Sequence, residues 1–168
     1  MVSDKIIYDK AMEIIKEFDT CNPFEISNIL KVPVVCEGFT GECEGEYIVN
    51  EKNKPIFFIN SNYAKEIQRY VLAHEIGHYF FHEPISLEES DNYGYMWRTP
   101  KIEREANLFA SCLLLDGGAI YDYVYLYRFT FYEIAKIMGI DVMYVELRYQ
   151  MMMKFEFEKY RKIFWNIT

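Results

Sequence analysis

Apolar residues recur at helical spacing from the start of the chain. Ile6, Ile7, Met12, Ile14, Ile15 and Phe18 stand among charged neighbours and predict an amphipathic helix from about Ser3 to Asp19. Ser3 or Asp4 supplies an oxygen to cap it. A second, short helix follows Pro23 through Phe24, Ile26, Ile29 and Leu30. The period then changes. Val32 to Cys36, Gly45 to Val49 and Pro55 to Ile59 predict three short strands between turns rich in Gly, Glu and Asn, and their short connections favour antiparallel pairing. Helical spacing returns near Asn62 and runs to about His82, where Pro84 stops it. Residues 85–98 have no clean period and read as a long surface loop, a candidate lid over a neighbouring site. Thr99 and Pro100 open a further helix in N-cap and first-turn positions. It carries Glu103, Ala106, Asn107, Ala110, Leu113 and Leu114 on one side and ends near Gly117-Gly118. From Ile120 onward the pattern gives further short helices and a long aromatic C-terminal one. The fold class predicted is α+β, mainly helical, with a small antiparallel three-stranded sheet. No repeat, low-complexity tract or linker divides the chain, so residues 1–168 read as a single domain.

Composition narrows the function. The 168 residues are 51% hydrophobic and 18% aromatic, ample for one compact core. A net charge of −8 and a pI near 5.0 argue against a broad nucleic-acid footprint, which needs clustered Lys and Arg. Cys21, Cys36, Cys43 and Cys112 are irregularly spaced with no C-x-x-C pair, and read as free thiols in a reducing compartment. The N-terminus lacks a signal-peptide apolar region, and no apolar run approaches the ~20 residues that span a bilayer. A cytoplasmic protein with no membrane partner is expected.

The chemistry gathers in one helix. The chain's three histidines fall at positions 74, 78 and 82, and the first two belong to His74-Glu75-Ile76-Gly77-His78, an H-E-x-x-H sequence. Residues four apart share a helix face, so two imidazoles can converge on one metal ion with a carboxylate beside them. Gly77 thins the helix and admits a close neighbour. His82 is not expected as a third ligand: positions 74 and 82 of a straight helix lie ~12 Å apart. Nitrogens around one zinc sit only ~2.0–2.1 Å from the metal. His82 is instead a second-shell, substrate-facing or packed residue. The longer H-E-x-x-H-x-x-G-x-x-H pattern is also excluded, because Phe81 and Pro84 occupy its glycine and histidine positions. A downstream carboxylate remains, giving a His₂Glu site for Zn²⁺ with an open position for water. Glu103 and Glu105 compete for that role. Glu103 shares a face with Ala106 and Ala110, which allow tight packing against the histidine helix, and Asn107 is placed to orient it. Glu105 reads as a solvated charge. Glu88 and Glu89 lie in the irregular stretch, a poor platform for a ligand. Glu75 is the candidate general base toward a metal-activated water.

These residues carry a family resemblance. Val71 to His82, followed by Glu103-Arg104-Glu105-Ala106-Asn107-Leu108-Phe109-Ala110, resembles the ImmA/IrrE metallo-endopeptidases, with their L-A-H-E-x-G-H and downstream E-x-x-A-N-x-F-A-x-x-L-L. The resemblance extends to the N-terminal helices, Gly45 to Ile48 and Ile56 to Asn60. It implies a zincin-like metalloprotease core over residues 1–119 with a helical C-terminal subdomain over 120–168, and it puts the third metal ligand at Glu103. It further implies limited cleavage of a protein substrate, a helix-turn-helix transcriptional repressor of a phage or mobile element. Where the family continues L-L-M-P, this chain has Leu113-Leu114-Leu115-Asp116, a departure in how the helix exits. A reading from another class is a metal-stabilised module that binds a repressor or antitoxin without cutting it.

The C-terminal third suggests a helix-turn-helix over Phe131 to Arg148, turning at Gly139 with Asp141 beginning the second helix. The start of that helix offers Val142, Met143, Tyr144 and Val145 where a DNA reader needs basic and polar side chains. The unit therefore reads as packing or protein recognition, without direct DNA binding.

Overall fold

The computed structural model describes residues 2–39, 43–86 and 99–165. Two N-terminal helices come first. Helix α1 (Asp4–Phe18) is capped by Ser3, whose side chain accepts from the Ile6 N–H, and α2 (Pro23–Leu30) is capped by Asn22. Strands β1 (Val34–Glu37), β2 (Gly45–Val49) and β3 (Pro55–Asn60) follow, then helix α3 (Lys65–Phe81) and a two-residue strand β4 (Ile85–Ser86). After residue 98 come α4 (Pro100–Leu114), α5 (Gly117–Tyr125), α6 (Phe131–Met138), α7 (Val142–Phe155) and α8 (Phe157–Trp165). The mainly helical α+β class is as expected.

The sheet departs from the expected antiparallel three-stranded one. Its order is β1-β3-β2-β4, and only β2 and β3 pair antiparallel; β1 with β3 and β2 with β4 are parallel. Short connections enforce antiparallel neighbours only where the joined strands actually pair. The β2–β3 turn obeys: Asn50 takes the Lys52 and Lys54 N–H groups on its side chain, and Asn53 adopts φ 55°. β1 instead lies on the far side of β3 from β2. At the end of β3 the Asn60 amide donates to the Cys43 carbonyl at 2.9 Å and the Phe39 carbonyl at 3.2 Å. The irregular stretch also begins later than expected, since Ile85 and Ser86 extend the sheet. Residues 87–98, with Glu88, Glu89 and the candidate lid, lie outside the described residues.

Two apolar clusters fill the molecule. In the larger, Ile7, Ile14, Ile26, Phe57, Ile59, Leu72, Ile76, Leu108 and Phe109 meet between α1, α2, the sheet, α3 and α4. The smaller gathers Ile120, Tyr121, Ile134, Val145 and Met152 from α5, α6 and α7. Helix α7 belongs to both, giving Leu147 and Met151 to the first and Val145 and Met152 to the second. The helix after Thr99 ends at Leu114, ahead of the expected glycines. Asp116, standing where the family's proline would, caps α5 by accepting from Gly118 and Ala119, so Gly117 and Gly118 open a helix. Arg148 of α7 is buried there. It donates to the Leu115 carbonyl at 2.7 Å and pairs with Glu156 at 2.6 Å. Among the described residues no helix is long and apolar enough to cross a membrane.

Candidate metal centre

Helices α3 and α4 approach closely because their facing residues are small. A Cβ built on Gly77 would stand 3.0 Å from the Ala106 Cα and 3.1 Å from its carbonyl oxygen. Ala106 and Ala110 are wholly buried along this seam. The close approach lets a carboxylate from the first turn of α4 reach two imidazoles of α3. His74 Nε2 lies 3.2 Å from one Glu103 oxygen and His78 Nε2 lies 3.4 Å from the other. The two Nε2 atoms are 2.9 Å apart. One donor atom from each of the three residues falls within 4.8 Å of the others, a spacing that fits a single metal ion whose ligands stand ~2.0–2.2 Å from it. Two imidazoles and a carboxylate are a donor set that zinc accepts.

Burial by itself would raise the Glu103 carboxyl, but when the two rings carry protons toward it, hydrogen bonds and charge from His74 and His78 outweigh burial and hold the group well below the usual carboxylate range. Glu75 is buried at 2% exposure, so its carboxylate is part of the site wall and not a surface charge.

The groups behind the histidines differ from expectation. Asn107 is brought to the site, but it holds His74 and not Glu103: the His74 Nδ1–H donates to Asn107 Oδ1 at 2.7 Å. Tyr144 donates its hydroxyl to the same oxygen at 3.2 Å. His82 stands behind His78, with Nδ1 to Nδ1 at 2.8 Å. Glu105, read from the sequence as solvated, is buried at 6% exposure, with its Oε2 3.1 Å from His82 Nε2.

An open cleft of about 550 Å³ leads to the centre. Its lining includes Glu44 and Gly45 at the head of β2, His74 and Glu75, and Asp141, Met143 and Tyr144 at the start of α7. The last three were missed as site residues. The helix-turn-helix pattern was visible, with Gly139 at φ 66° and Asp141 capping α7, but the orientation that presents its second helix to the cleft was not. Tyr144 was one of many tyrosines available to the site. Its phenol, like that of neighbouring Tyr70, is raised by burial, and Tyr70 reaches about 12. The two rings meet at 5.1 Å, Tyr144 lining this cleft and Tyr70 a neighbouring one.

Comparison with known proteins places the chain among relatives. The peptidase M78 family model, described as the IrrE N-terminal-like domain, matches residues 31–149. The chain is 30% identical over 134 residues to the metallopeptidase ImmA of Bacillus subtilis strain 168, covering 79% of this chain and 78% of that protein. It is 29% identical over 147 residues to an uncharacterized immunity region protein 2 of Bacillus phage phi105, covering 85% and 89% respectively.

Proposed function

The chain belongs to the peptidase M78 family of IrrE N-terminal-like domains, and from that premise we propose that it is a zinc-dependent endopeptidase making limited cuts in a protein partner. In this reading His74, His78 and Glu103 hold the metal and Glu75 is the general base. The observation that carries it is the convergence of two imidazole nitrogens and a carboxylate at an open cleft, with Glu75 in its wall.

A bound divalent ion there supplies Lewis acidity, bringing a water's pKa toward neutrality and polarising a peptide carbonyl. The chain's own groups do the rest. His74 and His78 offer Nε2 lone pairs, which requires their protons on Nδ1, where Asn107 and His82 stand. Glu75, next to His74 but not in the ligand group, takes the proton of the attacking water and returns it to the leaving amine. Tyr144 also lines the cleft, with its hydroxyl proton given to Asn107 Oδ1.

The partner we propose is a helix-turn-helix transcriptional repressor of a phage or mobile element, met in the cytoplasm. The immunity-region relative and the resemblance to ImmA support this choice. The test uses the zinc-loaded chain with purified repressors encoded near its gene, and mass spectrometry of the products. Cleavage at one bond is expected, falling about 10²- to 10⁴-fold in Glu75→Gln while zinc content is kept. Equal cutting by that variant would remove Glu75 from the chemistry. Complex formation without any cut would favour the non-cleaving module.

A further inference from the structure

The two imidazoles of the centre are braced from behind by different chemistry. His74 leans on a neutral amide, Asn107. His78 leans on a second imidazole that ends on a carboxylate: His78 Nδ1 to His82 Nδ1 at 2.8 Å, then His82 Nε2 to Glu105 Oε2 at 3.1 Å. His82 and Glu105 are enclosed, their side chains 9% and 8% exposed. The other oxygen of Glu105 faces the exposed Lys101 ammonium at 3.9 Å.

The tautomers along this chain follow from its far end. An ionised carboxylate only accepts, so His82 must carry its proton on Nε2 and donate it to Glu105. In a neutral His82 ring, Nδ1 is then bare and can only accept. The His78 proton must therefore lie on Nδ1, which leaves the His78 Nε2 lone pair facing His74 and Glu103. Each ring has one proton and one lone pair, and both are assigned. The backbone serves the same end, because the chain leaves helical geometry at His82 (φ −130°, ψ 151°) while its N–H still donates to the His78 carbonyl at 2.9 Å.

We propose that Glu105, acting through His82, is a positioning residue for His78, fixing the tautomer and ring plane in which that imidazole takes a metal. The proposal rests on the reading of His78 as a metal ligand. Glu105 touches neither metal nor substrate, and its effect reaches the centre only along the two imidazoles. Outer partners of metal-bound histidines typically govern affinity by about 10- to 100-fold.

The test measures zinc affinity by competition with a chromophoric chelator in wild type, His78→Ala, Glu105→Leu, Glu105→Gln, His82→Leu and the double variant His82→Leu/Glu105→Leu. Melting of the metal-free proteins is followed in parallel. Glu105→Leu is expected to weaken zinc binding about 10- to 100-fold. Glu105→Gln, which keeps an acceptor oxygen, should recover part of that loss. The double variant should bind no more weakly than His82→Leu, because a chain cut twice is no more broken than one cut once. Wild-type affinity in both Glu105 variants, or losses that multiply in the double variant, would overturn the proposal. Nitrogen-15 NMR of the zinc-loaded wild type decides independently of how the variants fold. Protons on His78 Nδ1 and His82 Nε2 are expected, and a proton on His82 Nδ1 would overturn the chain. If wild type takes up no zinc, or His78→Ala binds it as tightly, the ligand reading fails and this proposal with it. Zinc-binding wild type with indifferent Glu105 variants sinks this proposal alone.

Discussion

Asn107 shows how a single side chain can join two parts of the molecule. Its Oδ1 receives the His74 ring N–H and the Tyr144 hydroxyl, and its amide nitrogen lies 3.6 Å from the Met143 sulfur. Replacement by leucine keeps the volume and removes the acceptor, leaving a ligand histidine without its brace. Asn107→Leu should weaken zinc binding about tenfold, as read by chelator competition; unchanged affinity would show that His74 needs no outer partner. The sequence placed Asn107 near the site but gave it Glu103 as partner, since those two lie four apart on one helix. The true partner sits across the α3–α4 seam, and spacing within one helix carries no information about what lies opposite. Glu105 was misjudged for a related reason. It is buried against His82 at the end of α3, a contact across the seam that spacing within α4 does not carry.

Among the elements, α3 and α4 carry the site, and Gly77 governs how near they come. A methyl at that position would press on the Ala106 backbone, which has no rotamer to yield, and on the Phe109 Cβ at 3.3 Å. Gly77→Ala should destabilise the fold by about 1–3 kcal/mol, as overpacking does. It should also weaken zinc uptake by moving Glu103 off the imidazoles. Urea unfolding of the metal-free protein and zinc titration measure the two effects separately; a wild-type result in both would mean the seam is softer than the backbone contacts imply. Helices were the most legible elements, because their caps are written locally: Ser3, Thr99 and Asp141 each begin one. Strand positions were legible too, but not their order. Strand order is set by pairings between segments distant in sequence, and the Asn60 amide contacts with Phe39 and Cys43 are equally non-local.

For the molecule as a whole, several phenols are buried in ways that alkaline pH should expose. Burial is the largest cause raising Tyr8 and Tyr70 to about 12 from the ordinary 10.0, and it raises Tyr144 and Tyr160 as well. Between pH 10 and 12 the unfolded chain releases protons that the folded chain keeps, so the folded state binds more protons and stability falls as pH rises. The contribution is whole below pH 10 and is lost through that window. Urea midpoints measured from pH 8 to 11.5 should stay level to about pH 10 and then drop; a flat profile to 11.5 would mean these phenols are wetter than their packing indicates. Nothing in the sequence marks these four among 15 tyrosines, since burial is a property of the assembled chain. The buried Arg148–Glu156 pair was equally hidden.

Helix α7 has a further consequence for inheritance. One side of it completes the larger apolar cluster, another completes the smaller, and its first turn borders the cleft. A recombination joint near residue 120 would supply this helix from one parent and all its principal neighbours in the first cluster from another. Such a chimera must match the foreign helix to Leu108 and Leu113, to the Leu115 carbonyl that Arg148 grips and to the amide of Asn107 at once. The C-terminal part of this chain is thus not a detachable module that lineages could exchange freely. It is expected to diverge by slow, paired substitution along with the core it walls.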